Sequence, residues 1–148
     1  MKREVTLTRA DKMLADKLAR PSVLVVDDDD DIRTTIRDVL EDQGFTVACA
    51  ANGREALEML LRDERKPALI LLDLTMPQMD GWTFRQEQQK VPRLAQIPVV
   101  LFSGHHDAVQ AAQSLDAAAL MTKPLRLEGL VTLVEQLSRG RNDRATPW

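Results

Sequence analysis

A single cysteine, Cys49, in 148 residues excludes any internal disulfide and points to a reducing, cytoplasmic setting. It lies in the apolar run FTVACAA, where a small thiol simply packs. No apolar run approaches the ~18 residues of a membrane span. The opening stretch MKREVTLTRADKM has no apolar signal core to direct export. Internal repeats and low-complexity tracts are absent. A basic excess is missing too: the net charge is −3, unevenly spread. Residues 1–20 carry six Lys/Arg against three Asp/Glu, a balance of +3, which leaves −6 on the remainder. An acidic body behind a short basic leader argues against nucleic acid as the main partner, and no membrane partner is expected.

What is present is alternation, in a chain of a length that suits one domain with a real core. Val23–Val26 reads as a buried strand. Ile32, Ile36, Val39 and Leu40 then share one helical face, and Gly44 is placed to stop that helix. Phe45–Ala50 is a second strand, and Asn52 can cap a helix carrying Ala56, Leu57, Leu60 and Leu61. Ala68–Leu72 is a third strand, followed by the loop Asp73–Gly81 and a polar helix around Trp82–Lys90. Val99–Phe102, an Ala-rich helix near Asp107–Leu115, the small strand Ala117–Met121 and a helix marked by Leu127, Leu130, Val134 and Leu137 complete the series. In the Ala-rich helix, Val109 and Leu115 are the large apolar anchors expected. Five strands alternating with five helices imply an α/β fold with a parallel sheet covered on both faces. Continuous apolar strands such as VLVV, LILL and PVVLF fit burial on both sides.

The sheet unit spans 22–138. Residues 1–21 read as an N-terminal extension. Within it Thr8 and Asp11 have the form of a capping box, and Leu14 and Leu18 can share a helical face. A solvated helix is the plain reading, and a dimer contact or a cap on the domain the sharper one. Residues 139–148, with Arg139, Arg141 and Arg144, read as a polar C-terminal tail too short for a DNA-binding output domain. A monomer or weak dimer is expected.

In such sheets function belongs at the carboxyl ends of the strands. There the first strand ends in Asp27-Asp28, the third in Asp73 and the fourth in Ser103, while the fifth leads to Lys123-Pro124. Three carboxylates in one pocket repel and raise one another's pKa. A hard divalent cation with oxygen ligands relieves that repulsion, and magnesium suits such a set. With Lys123 the formal charges then balance, and the site can receive phosphoryl oxygens, whose transfer asks chiefly for positioning and cations.

The stretches VLVVDDDDDIR, LILLDLTMPQMDGW, PVVLFSG and TKP make the chain resemble receiver domains of two-component signalling, stand-alone single-domain receivers in particular. The resemblance implies a flavodoxin-like (βα)5 doubly wound sheet in the order 2-1-3-4-5. It also implies a phosphoryl-accepting function in a phosphorelay, with Asp73 as the phosphoacceptor. Asp28 would be the direct metal ligand and Asp27 a carboxylate acting on Mg²⁺ largely through water, with Asp73 and the backbone carbonyl of Thr75 completing the set. Ser103 would hydrogen-bond the phosphoryl group and Lys123 pair with it, across a Lys123–Pro124 bond that is often cis in the family. The implied partner is a histidine kinase or histidine phosphotransfer protein, the downstream target being unspecified. The implied output face surrounds the fourth helix and fifth strand of the unit. The implied protein is not an enzyme: it catalyses only its own phosphorylation and dephosphorylation. The likeness stops at Leu120, a switch position where the family usually has Tyr or Phe, at Leu125 where it often has Phe, and at Leu115-Asp116, which replaces the usual glycine-containing turn.

Other readings of single residues are plainer. Asp29, Asp30 and Asp31 suit a helix N-terminus, and Asp80-Gly81 suits a turn. His105-His106 reads as surface, lacking further metal ligands; His105 sits where the family tunes loss of the phosphoryl group. Trp82 packs a helix start, and Met76, Met79 and Met121 are loop or core residues. Two other functions compete. A binding module independent of phosphate is suggested by Leu120. A magnesium phosphatase would need an Asp-x-Asp loop, whereas Asp73-Leu74-Thr75 lacks the second Asp.

Overall fold

The computed structural model describes residues 6–19, 21–63, 66–104 and 106–142. Five strands form one sheet: β1 (Ser22–Val26), β2 (Thr46–Ala50), β3 (Leu69–Leu72), β4 (Val99–Ser103) and β5 (Ala119–Thr122). Their order is β2-β1-β3-β4-β5 and every pair is parallel, the doubly wound arrangement expected. The central strands are buried almost end to end, as LILL and VVLFS require. The edge strands are not: β2 and β5 are largely half-buried, because each has only one neighbour.

Strand periodicity sorts the core into two clusters. Val23, Val25, Leu69, Leu71, Val100 and Phe102 face one side, and Leu24, Val26, Ile70, Leu72, Val99 and Leu101 the other. The first side is covered by α2 (Asp30–Asp42) and α7 (Leu127–Asn142), through Ile36, Leu40, Leu130, Val134 and Leu137. Each such fully buried side chain contributes about 1.5–3 kcal/mol. The second side is covered by α3 (Gly53–Arg62), α4 (Gly81–Gln89), the short α5 (Pro92–Ala95) and α6 (Ala108–Ser114).

Local chemistry sets the ends of these helices. Asp29 caps α2 by accepting from the N–H groups of Asp31 and Ile32. At its far end Gly44 takes φ +94°, and the N–H groups of Gly44 and Phe45 donate to Glu41 and Leu40. That is the left-handed stop for which glycine is suited. Asn52 caps α3 through the N–H of Glu55, as expected. The capping box of Thr8 and Asp11 forms in both directions at 3.0 Å and opens α1 (Arg9–Ala19). Leu14 on α1 is exposed, and the side chain of Leu18 lies outside the described residues.

Several features depart from expectation. The helices of the sheet unit number six among the described residues, not five: α5 is additional, while α1 is the helix read in the N-terminal extension. The last helix runs to Asn142, past the expected end of the unit at 138, and residues 143–148 lie outside the described residues. Val109 is no anchor of α6, being 63% exposed; Ala108, Ala111 and Leu115 hold that helix instead. The helix expected to be merely polar, α4, buries both Arg85 and Gln88. The Arg85 guanidinium donates to the carbonyls of Leu115 and Asp116 and to the Gln88 side chain, and Gln88 donates to the carbonyls of Leu94 and Ile97. This network ties α4 to the end of α6 and to the approach to β4. Burial pulls the Arg85 pKa down, partly offset by Asp116.

Candidate functional site

All five candidate side chains meet at one rim of the sheet. Beyond β1, the Asp27 N–H donates to the Ala50 carbonyl, and the Asp27 Oδ1 accepts from the Asp29 N–H at 2.9 Å. Arg33, one turn into α2, donates to the Asp27 carbonyl at 2.5 Å and pairs with Asp30. This fixes the loop with Asp27 buried and Asp28 exposed.

Asp73 follows β3, with its N–H on the Val26 carbonyl at 2.9 Å and only 4% exposure. Its Oδ1 accepts a long hydrogen bond, 3.4 Å, from the Thr75 N–H. The chain then turns back sharply. The Gly81 N–H donates to the Leu74 carbonyl, and a Cβ on Gly81 would sit 2.5 Å from the Asp73 carbonyl oxygen. No side chain fits there, so α4 begins pressed against the Asp73 backbone. Asp80 caps that helix through the Thr83 N–H at 2.8 Å. The pair read as a turn therefore also frames the site.

Ser103 is the last residue of β4 and is buried; its carbonyl accepts from the Lys123 N–H at 3.2 Å. The Lys123–Pro124 bond is cis. The Lys123 ammonium lies 3.1 Å from Asp27 Oδ2 and 3.6 Å from Asp73 Oδ2. Asp28, Asp73, Thr75, Ser103, Gly104 and Lys123 line an open cleft of about 520 Å³. Leu120 is elsewhere: it is half-buried on the α6 side of the sheet, opposite Leu101 on β4. His106 is exposed and lies 3.2 Å from the Asp107 carboxylate, a surface pair, while His105 lies outside the described residues.

The electrostatics follow from crowding. Burial pushes the Asp73 carboxyl up to about 6; the Asp27 charge adds to the rise and Lys123 opposes it. Burial also raises Asp27, against hydrogen bonding from Asp29 and the pull of Lys123. For Lys123, burial acts downward, but pairing with Asp27 and Asp73 outweighs it and leaves its pKa raised. One oxygen each of Asp27, Asp28 and Asp73 lies within 4.8 Å of the others. Asp27 Oδ2 is wholly buried and is met by the Lys123 ammonium at 3.1 Å, with no other hydrogen-bond donor on it. Three carboxylates against one ammonium fit a small divalent cation that prefers oxygen.

Two contributors escaped the sequence reading. Gly81 reads as half of a turn, and only its close approach to Asp73 reveals its role. Phe102 reads as one more strand residue, yet its ring centroid lies 5.2 Å from the Lys123 ammonium. Strand alternation carried the signal: Phe102, Met121 and Lys123 fall on one side of two paired strands.

Comparison with known proteins bears on the family and the fold. Residues 23–135 match the family model for the response regulator receiver domain. An uncharacterized 14.6 kDa protein from the sodA1 3′ region of Leptolyngbya boryana is 36% identical over 80% of this chain and 91% of its own. The response regulator Rre1 of a Synechocystis strain is 35% identical over 81% of this chain, which spans about half (53%) of that regulator's length. Among solved structures, the signal receiver domain of a signal transduction histidine kinase from Syntrophus aciditrophicus superposes with a TM-score of 0.75. It is 29% identical over 86% of this chain and 95% of its own. No helix among the described residues is long and apolar enough to cross a membrane.

Proposed function

Since the chain belongs to the response regulator receiver domain family, we propose that it is a phosphoryl-accepting switch whose acceptor is Asp73. The observation that carries this is the state of that one side chain. Asp73 is nearly buried yet opens onto the cleft, with a lysine at 3.6 Å and two further carboxylates beside it.

The donor is a phosphohistidine on a histidine kinase or phosphotransfer protein. An Asp73 carboxylate oxygen attacks phosphorus, the phosphorus–nitrogen bond breaks, and the histidine nitrogen leaves with the electron pair. With a pKa of about 6, Asp73 is largely ionised at pH 7 and ready to attack. Lys123 holds the transferring group by its charge, and the Ser103 hydroxyl, which lines the same cleft, donates to a phosphoryl oxygen. The carboxylates of Asp27, Asp28 and Asp73 and the Thr75 carbonyl would hold Mg²⁺, which supplies neutralising charge to the phosphoryl oxygens. The acyl phosphate later hydrolyses, so the protein acts on itself and not on a free substrate. A cytoplasmic location and an output face around α6 and β5 belong to the same reading.

Leu120 favours one competing reading, a binding module that works without phosphate, because a leucine cannot act as the aromatic switch. Incubation with acetyl phosphate and Mg²⁺, followed by intact-mass measurement, separates the two. A single phosphoryl adduct on the native chain and none on Asp73→Asn supports the switch. An adduct retained on Asp73→Asn moves the acceptor elsewhere, and no adduct on either chain favours the phosphate-independent module.

A further inference from the structure

We infer that Phe102 is a positioning residue for Lys123, its ring face serving as the floor on which the ammonium rests and along which it moves when Asp73 is phosphorylated. The inference rests on the reading of Lys123 and Asp73 given above.

Phe102 is 3% exposed and pairs in register with Met121 of β5. Lys123 is two residues beyond Met121, so its stem rises on the same side of the sheet. Its ammonium lies 5.2 Å from the ring centroid, within the range at which the negative face of an aromatic ring attracts a cation. Three partners therefore surround the charge: Asp27 at 3.1 Å, Asp73 at 3.6 Å and the ring.

These partners differ in what they tolerate. A carboxylate contact weakens when the ammonium shifts. A ring attracts a cation anywhere over its face within about 6 Å of the centroid, so a small shift of the ammonium keeps that contact. Phosphorylation sets the phosphoryl oxygens farther out than the Asp73 carboxylate, so the ammonium has to leave its present place to pair with them. The carboxylate contacts change on that path, while the ring stays under the charge throughout. Without the ring, the ammonium's only fixed partners are carboxylates, and the Asp27 contact, the shorter of the two, holds it deeper in the site. Phe102 therefore keeps a long flexible side chain aimed at the cleft without locking it onto one oxygen.

The test separates ring electrostatics from ring volume. Phe102 is replaced by mono-, di- and trifluorinated phenylalanine, which keep the shape of the ring and progressively neutralise its face. The initial rate of phosphorylation by acetyl phosphate with Mg²⁺ is then followed by intact mass. The rate should fall with each fluorine, by about fivefold for the trifluoro ring. The same replacement at Phe45, buried in the same core cluster, should leave the rate unchanged. A second readout needs neither metal nor donor: ring-current shifts of the Lys123 ε-methylene protons should be present in the native chain and absent in Phe102→Leu. A flat fluorine series alongside a slowed Lys123→Ala chain overturns this inference alone, since the ring then only fills space. Unshifted methylene protons in the native chain overturn it as well. A Lys123→Ala chain as fast as the native one overturns the reading of Lys123 itself, and this inference with it.

Discussion

Asp73→Asn should stabilise the protein in the absence of divalent cations while abolishing the proposed phosphorylation. Asparagine keeps the shape of the side chain and an oxygen for the Thr75 N–H. It removes one of three crowded negative charges. The native carboxyl titrates at about 6 against 3.8 in a free chain, so folding raises its pKa. A raised pKa means stability that is full below about pH 4 and lost as pH climbs toward and through 6. At 1.36 kcal/mol per unit, the penalty that the native chain carries at pH 7.5 is about 3 kcal/mol. At pH 5 it is roughly half that, because the folded carboxyl is then mostly protonated. The new amide N–H₂ lacks an assured partner and costs about 1 kcal/mol, so a net gain of about 2 kcal/mol remains at pH 7.5. For a chain of this size that is about 4–8 °C in Tm. Thermal unfolding in EDTA, followed by circular dichroism at pH 5, 6 and 7.5, measures it. The advantage of the variant should grow between pH 5 and 7.5 and shrink when Mg²⁺ is added, since the cation stabilises chiefly the native set. An advantage independent of pH, or a variant less stable at pH 7.5, would refute the account of crowding at this site.

Other outcomes follow from the same geometry. Calorimetry should detect Mg²⁺ binding in the micromolar-to-millimolar range, lost in Asp28→Ala; equal affinity in that variant would place the metal elsewhere. Gly81→Ala forces its Cβ into the space beside the Asp73 carbonyl, and it should cost about 2 kcal/mol in denaturant unfolding. It should also slow phosphorylation, because the acceptor loop has to move; a chain that accepts alanine at native stability would show that the loop has slack. Leu120→Ala should leave phosphorylation of Asp73 nearly intact. Hydrogen exchange over residues 104–116 should slow on adding Mg²⁺ and beryllofluoride, and an unchanged map with the analogue bound would show that the cleft does not reach that face.

Much of this architecture can be read from residues alone, for identifiable reasons. The three central strands are buried on both sides, so each appears as an unbroken apolar run whose end marks the rim. The candidate residues Asp27, Asp28, Asp73 and Ser103 sit at those ends and were legible for that reason, whereas Lys123 follows the half-buried edge strand β5, whose shorter apolar run is a weaker mark. Contacts made far along the chain were not. α5 is four residues long, too short to show any period, and Pro92 at its start reads equally well as a loop. Arg85 and Gln88 look like solvent-facing residues because their partners are backbone carbonyls at residues 94–97 and 115–116, which no side-chain pattern reveals. Val109 misled in the opposite sense: in a helix this rich in alanine the small residues pack against the sheet, and the large one faces water.

The Arg85 network gives α6 two unlike ends. At its carboxyl end the last carbonyl groups are held by a buried guanidinium, and Asp116 completes the turn at φ +53°. At its amino end the Asp107 side chain makes no capping hydrogen bond, and between the two ends the residues that pack inward are alanines, Ala108 and Ala111 buried and Ala112 partly so. A helix fastened this way behaves as a hinged flap with its pin on the far side from the cleft. Its unfolding starts from the end next to Ser103, and each residue released there uncovers very little apolar surface. Small free energies delivered at that end therefore suffice to swing or melt it, while the Arg85 pin holds the far end, next to the turn into β5, in place. The cost of an opening in this part of the molecule is set chiefly by alanine side chains, so lengthening them at positions 108 or 111 would tune the flap's stiffness without touching the chemistry of the cleft.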